Sequence, residues 1–338
     1  MGQTNMKKRE FFVFIFTLFL SLGAFAQDAF HYTHFDMAQV ALNPALSGGF
    51  DGTARIGGLL REQDYGMGFG QSVTPEFFVD APLIRGFRKQ DWVGIGVAFL
   101  YDEQKISSED GKNELANKLA VTNSFGGLSY HFALDKKRKN VIAIGIQSGI
   151  SKVHFLNQLI IPESIKNSID NPGIPINKED PEPPFHKKKS NRLGYTIGTV
   201  FTSKISNTKN LRFGLSVSSI GYFQRKLRFT TFSIYQMELT NGLILEPRVF
   251  FQYLQSSWEG SAQILAGMKL KKPKPMTIFA GLGYNPVNGA QFLLRTDLDK
   301  IRFFYSFDFN LNPDKKAVSG TTSAMEFGAS YILKIKKD

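Results

Sequence analysis

Residues 301–309 read IRFFYSFDF, and their alternation constrains this chain more than any other feature. Ile301, Phe303, Tyr305, Phe307 and Phe309 form one apolar set; Arg302, Ser306 and Asp308 fall between them, with Phe304 the single exception. Successive side chains of an extended strand point to opposite sides, so a period of two sorts these residues into a greasy face and a mostly polar one. A chain built from such stretches has two solutions. In a soluble sandwich the greasy face is core; in an outer-membrane barrel it meets lipid, and the polar face lines the lumen. The choice between them rests on the rest of the chain.

The remaining stretches repeat the pattern. Val141, Ala143, Gly145, Gln147, Gly149 and Ser151 alternate with Ile142, Ile144, Ile146 and Ile150. Leu211, Phe213, Leu215 and Val217 alternate with Arg212, Gly214, Ser216 and Ser218. Read this way, residues 53–338 contain about fourteen strands long enough to cross a bilayer when tilted, the first over Thr53–Glu62 and the last over Thr322–Lys336. The connections alternate too. Lys136–Lys139, Ser206–Lys209, Lys272–Pro275 and Asp297–Lys300 are tight, whereas Glu103–Asn117, Leu156–Ser190 and Asn312–Thr321 are longer and all follow odd-numbered strands. Short turns on one rim and long loops on the other are the arrangement of an outer-membrane barrel, with the short turns periplasmic. The longest loop, 156–190, holds six of the 14 prolines, which exclude a strand ladder there and leave a surface loop or a docking and gating loop.

Composition agrees. Hydrophobic residues are 42% of the 338, with 32 Phe, 11 Tyr and 31 Gly; alternating strands give a barrel no more overall hydrophobicity than a soluble protein, and aromatics supply its interfacial girdles. No run after the N-terminus reaches the length of a spanning helix. With no cysteine, disulfides and thiolate chemistry are excluded. The formal charge of +12 raises nucleic acid as a partner. The basic residues sit in turns and loops such as Lys136–Lys139, Lys187–Lys189 and Lys271–Lys274, however, and no helix gathers them on one face. Attraction to anionic lipid headgroups or to an acidic partner is expected instead, and no nucleic acid.

Residues 1–26 read as a secretory signal peptide. Lys7, Lys8 and Arg9 precede an apolar run from Phe11 to Leu22, and Ala24-Phe25-Ala26 is the small-x-small signal for cleavage after Ala26. Residues 27–52 lack strand alternation and end in turn residues. Their aromatics (Phe30, Tyr32, Phe35) and the Pro44…Gly48-Gly49 punctuation predict a plug-like segment ordered against the barrel and turning sharply into the first strand, with Asn43 able to tie irregular backbone to lumen groups. His31 and His34, three apart, show no third ligand, and no metal is expected.

The run His31-Tyr32-Thr33-His34-Phe35, then Leu42-Asn43-Pro44-Ala45-Leu46-Ser47-Gly48, resembles the N-terminal signature of the PorP/SprF family, outer-membrane barrel proteins associated with type IX secretion and gliding motility. Leu60-Arg61-Glu62-Gln63, Gly66 and Asp80-Ala81-Pro82-Leu83 are similar to that family's Arg-x-Gln and Asp-x-Pro-Leu patches. Trp92-Val93-Gly94-Ile95-Gly96, Asp102 and Met325-Glu326-Phe327 continue the likeness. FadL-type transporters of hydrophobic compounds also carry an Asn-Pro-Ala element. The resemblance singles out Asn43, Pro44, Ala45 and Gly48 in the N-terminal segment and Arg61, Gln63, Asp80 and Pro82 in the patches. It implies an all-β, antiparallel transmembrane barrel in the cell outer membrane. Its partners would be outer-membrane lipid together with periplasmic or outer-membrane components of the type IX machinery, or a secreted cargo protein.

Catalytic patterns do not assemble. The five His stand at 31, 34, 131, 154 and 186, with no HExxH, GxSxG or GxxxxGK[ST]. His131 and His154, on neighbouring strands, could imitate a hydrolase only with a strand Ser beside them. The expected function is a non-enzymatic, cofactor-free anchor or docking barrel; the alternative is a FadL-like or porin-like channel for small or hydrophobic solutes.

Overall fold

The structure, a computed structural model, describes residues 32–63, 72–106, 117–155, 190–219, 227–239, 242–254, 257–270, 275–286, 289–309 and 323–334. The signal peptide, His31, the loop 156–189 and Gly66 lie outside these residues. Fourteen strands form one closed antiparallel barrel in sequence order. They are β1 (Ala54–Gln63), β2 (Ser72–Arg85), β3 (Trp92–Ile106), β4 (Asn117–Ala133), β5 (Asn140–Phe155), β6 (Ser190–Ser206), β7 (Lys209–Ser218), β8 (Arg228–Glu238), β9 (Leu243–Leu254), β10 (Ser257–Leu270), β11 (Met276–Asn285), β12 (Gly289–Leu298), β13 (Ile301–Phe309) and β14 (Ser323–Leu333). Strand β1 closes the sheet against β14 with Arg61 opposite Glu326. The first and last strands read from the sequence, Thr53–Glu62 and Thr322–Lys336, fall within three residues of the bounds of β1 and β14.

Burial runs opposite to that of a soluble protein. On β5 the inward positions Ala143, Gln147 and Ser151 are buried and the outward Ile144, Ile146 and Ile150 are exposed; on β13 Ser306 and Asp308 are buried while Phe303, Tyr305 and Phe309 are exposed. A sandwich would show the reverse, so the greasy face is the lipid face. Phe304, the exception in the alternation, points inward and lies over Gly328 of β14, where a Cβ would have no room.

Prolines mark three places where the wall departs from a continuous ladder; at one of them, Pro247 on β9, pairing with β8 skips from Ile234↔Arg248 to Met237↔Leu245. Pro75 on β2 has no N–H to donate, and pairing with β3 skips from Val73↔Glu103 to Glu76↔Leu100. Side chains bridge the gap: Ser72 Oγ and Thr74 Oγ1 donate to Asp102 Oδ1 at 3.3 and 2.8 Å. Pro82 sits at a bulge, where the β2–β3 register shifts between Pro82 and Ile84.

Every connection after an even-numbered strand is short, on the rim that is periplasmic in barrels of this class; the opposite rim holds the long connections after β3, β5 and β13 but also short ones after β9 and β11. The one between β12 and β13 is Asp299-Lys300, with Asp299 at φ 41°. The connection between β4 and β5 is held by the Asp135 carboxylate, which accepts from the backbone N–H groups of Lys137, Lys139 and Asn140 at 2.9, 3.0 and 2.7 Å.

Candidate functional site

Residues 32–48 lie against inward-facing residues of the strands. From Tyr32 to Gly48 every residue is buried except Ala41 and Leu42, which are half-buried. The segment has one helical turn, α1 (Gln39–Leu42), and a 3-10 turn at Pro44–Leu46. Such irregular backbone leaves polar groups without ladder partners, and inward-facing residues of the strands supply them. Thr33 N and His34 N donate to Glu326 of β14 at 2.6 and 3.0 Å, and Gln263 Nε2 of β10 donates to Thr33 O at 2.8 Å. Thr33 Oγ1 donates to Asp308 of β13 at 2.8 Å. At the far end Gly48 N donates to Asp80 of β2 at 2.7 Å and Trp92 Nε1 of β3 to Gly48 O at 2.9 Å.

The Asn-Pro-Ala element is the middle of this attachment. Asn43 Oδ1 accepts from Ala45 N at 2.9 Å and so caps the 3-10 turn, whose φ Pro44 presets. Asn43 Nδ2 donates to Thr199 O of β6 and Leu215 O of β7 at 3.2 and 2.9 Å. The wall opposite is hollowed by glycine. A Cβ on Gly198 would collide with the Asn43 amide, one on Gly145 with the Ala45 backbone, and one on Gly94 with Ser47 O. Gly48 itself adopts φ +68°, and a Cβ there would stand 2.8 Å from Gly94 Cα. Ser129 Oγ and His131 Nε2 of β4 both reach Ser47 O, at 2.7 and 2.8 Å. Ser129 Oγ also lies 3.0 Å from His131 Nε2, and His154, opposite Ala120, lies toward the other end of the β4–β5 pair from His131, opposite Ala143.

Charge is arranged as buried pairs. Arg61 contacts Glu326 at 2.5 Å and Asp308 at 3.2 Å. Arg55 binds Asp80 through two bonds of 2.8 and 2.6 Å. Asp36, on the segment, takes a bond of 2.8 Å from Arg248 of β9, which also pairs with Glu246; Glu246 in turn takes two from Arg295 of β12, at 2.8 and 3.0 Å. Burial works against the Asp36 charge, yet the guanidiniums of Arg248 and Arg295 hold its carboxyl below the usual value. Burial pushes the neighbouring His34 down to about 4, and its Nε2 lies 3.1 Å from Tyr305 O. Apolar contacts complete the seat: Phe35, Ala45 and Leu46 pack with Ala143, Val200, Phe232 and Phe250, and Met37 and Ala38 pack with Leu59, Leu100 and Phe304. Burying Phe35, Met37, Val40 and Leu46 contributes about 1.5–3 kcal/mol each.

Of the residues singled out in the sequence, Asn43, Pro44, Ala45, Gly48 and Asp80 meet at this attachment, and Arg61 meets the segment at Thr33. Gln63, half-buried near the end of β1, and Pro82, at its bulge, stand apart. Sequence reasoning missed the Asp36–Arg248–Glu246–Arg295 cluster and the Gly94, Gly145 and Gly198 hollow. The available signal was charged or glycine residues recurring at inward positions of strands whose outward positions are apolar.

A family model described as Type IX secretion system membrane protein PorP/SprF matches residues 24–331. A comparison with curated proteins finds no match. Among solved structures, the chain is similar to the Pseudomonas putida toluene transporter TodX (TM-score 0.55, 11% identity, 94% of this chain and 98% of that one). It is also similar to the Ralstonia pickettii toluene transporter TbuX (TM-score 0.53, 8% identity, 93% and 97%). At identities this low the likeness shows the barrel fold alone.

Proposed function

Because this chain belongs to the PorP/SprF family of type IX secretion system membrane proteins, we propose that it serves that machinery as a plugged outer-membrane anchor, docking a periplasmic or outer-membrane component or a secreted cargo protein. The observation that carries the reading is the seat of residues 32–48. A segment bound to strands around the barrel, through buried ion pairs and glycine hollows, supports a lumen closed to solutes. The apolar lumen surface near it is already used to bind it. Above Thr33 the lumen carries a hydrogen-bonded polar layer, in which Gln252 and Asn285 donate to Glu259 at 2.8 and 2.9 Å. Such a surface suits water and polar backbone better than hydrocarbon.

The rival reading, a channel for small apolar solutes, draws on the likeness of the barrel to TodX and TbuX. Planar-bilayer recording separates the two. The intact protein is expected to conduct little, and deletion of residues 27–48 to raise single-channel conductance. Type IX components should co-purify with the intact protein from detergent-solubilised outer membranes. Saturable uptake of a monoaromatic solute by the intact protein, with no such components retained, would favour the channel.

A further inference from the structure

The rim of short turns carries an exposed basic surface built on a fixed frame. The β4–β5 turn presents Lys136, Lys137, Arg138 and Lys139, all exposed, around the Asp135 carboxylate that binds three backbone N–H groups. The neighbouring β2–β3 turn, residues 86–91, presents Phe87, Arg88 and Lys89. Arg88 grips Asp91 through two bonds of 2.8 and 2.9 Å and donates to Ala133 O at 2.9 Å. Asp91 accepts from Ala133 N at 3.0 Å, and Tyr130 Oη both donates to Asp91 (3.1 Å) and accepts from Phe87 N (3.0 Å). Arg138 lies over the Trp92 ring at 5.1 Å. Lys204 N donates to Lys139 O at 2.8 Å, which joins the β6–β7 turn with its exposed Lys204 and Lys209 to the same frame.

Two features of this frame ask for an occupant. Its acids are turned inward, Asp91 onto Arg88 and Ala133 and Asp135 onto the backbone, and the exposed cations of the β4–β5 turn face outward. Phe87 is 99% exposed, standing off the end of a strand on a turn. Fluid lipid headgroups can neutralise cations on any mobile turn. A turn backbone held in place presents its cations from fixed points beside the exposed Phe87 ring, which stacks on Tyr130 with centroids 5.8 Å apart, and so suits a partner of defined shape.

We propose that this surface docks an acidic segment of a periplasmic protein, whose carboxylates meet Lys136, Lys137 and Lys139 and whose apolar side chain covers Phe87. The inference rests on the docking reading above and names the face and the chemistry.

The test uses the full-length protein in phosphatidylcholine nanodiscs and a fluorescein-labelled Asp/Glu peptide with a central Leu, read by anisotropy. The acidic peptide should bind, more weakly as salt rises, and its Asn/Gln counterpart should not. The triple variant Lys136→Gln, Lys137→Gln, Lys139→Gln keeps Asp135 and the turn, and should weaken binding about tenfold. Phe87→Ser should weaken it severalfold, with heat-modifiable mobility unchanged in both variants. Peptide binding unaffected by the triple substitution, with changes seen only in discs containing phosphatidylglycerol, would assign the surface to lipid and overturn the proposal. Retention of type IX components from solubilised outer membranes distinguishes the remaining cases. Equal retention by wild type and triple variant sinks this surface but leaves docking intact, whereas no retention by wild type sinks docking itself.

Discussion

At the scale of single residues, glycine does as much as any charged group to hold the N-terminal segment. Gly198 and Gly145 are inward positions at which a missing Cβ lets Asn43 and Ala45 reach the wall. Substituting Gly198→Ala should cost about 1–3 kcal/mol, because neither the Asn43 amide, bound to two carbonyls, nor the backbone can retreat without losing hydrogen bonds. Gly126→Ala is the control: its Cβ would meet nothing nearer than Val97 Cγ1 at 4.0 Å. Denaturant titration in detergent should separate the two variants. Limited proteolysis of Gly198→Ala should also cut the segment faster than in wild type, whereas equal behaviour would mean that the segment is not seated by this contact.

Among the elements, the β4–β5 turn is organised by one carboxylate. The backbone N–H groups of Lys139, then Asn140 and Lys137, hold Asp135 below its ordinary value despite a smaller opposing effect of desolvation. A carboxylate with a depressed value stabilises the fold above its unfolded value of about 3.9, and that stabilisation is lost as pH falls through the lower folded value. Asp135→Asn should therefore lower the midpoint of heat-modifiable unfolding at neutral pH. The gap from wild type should close as the pH drops below the ordinary Asp range, where both side chains are uncharged. A gap that stays constant down to that range would show that the carboxylate charge contributes nothing to the turn.

For the whole molecule, one ion cluster unites the two ends of the chain. Arg61 on the first strand lies opposite Glu326 on the last, across the seam where the sheet closes, and the same Glu326 accepts from Thr33 N and His34 N. Closing the barrel and seating the segment are thus coupled through one carboxylate. Arg61→Met would leave Glu326 and Asp308 buried against each other with no guanidinium between them, at a cost of about 3–5 kcal/mol. The expected result is slower assembly into liposomes and a lower folded fraction on gels without boiling. Assembly at the wild-type rate would show that the seam closes without the pair.

The alternation of Ile301–Phe309, the glycine- and aromatic-rich strands and the long loops after odd-numbered strands by themselves pointed to an antiparallel barrel of about fourteen strands. Strand periodicity is a local property: each side chain faces in or out according to its own place in the strand, so the sequence displays it directly. The motif residues Asn43, Pro44, Ala45 and Gly48 were legible as a turn-forming segment for the same reason. Their partners were not. Asn43 meets Thr199 and Leu215, Asp36 meets Arg248, and Thr33 meets Asp308 only because closure brings strands remote in sequence around one lumen. Which inward residue meets which depends on strand tilt, on the two proline-marked irregularities of β2 and on the path of the segment across the barrel. Those are properties of the closed sheet, and only the tertiary structure decided them.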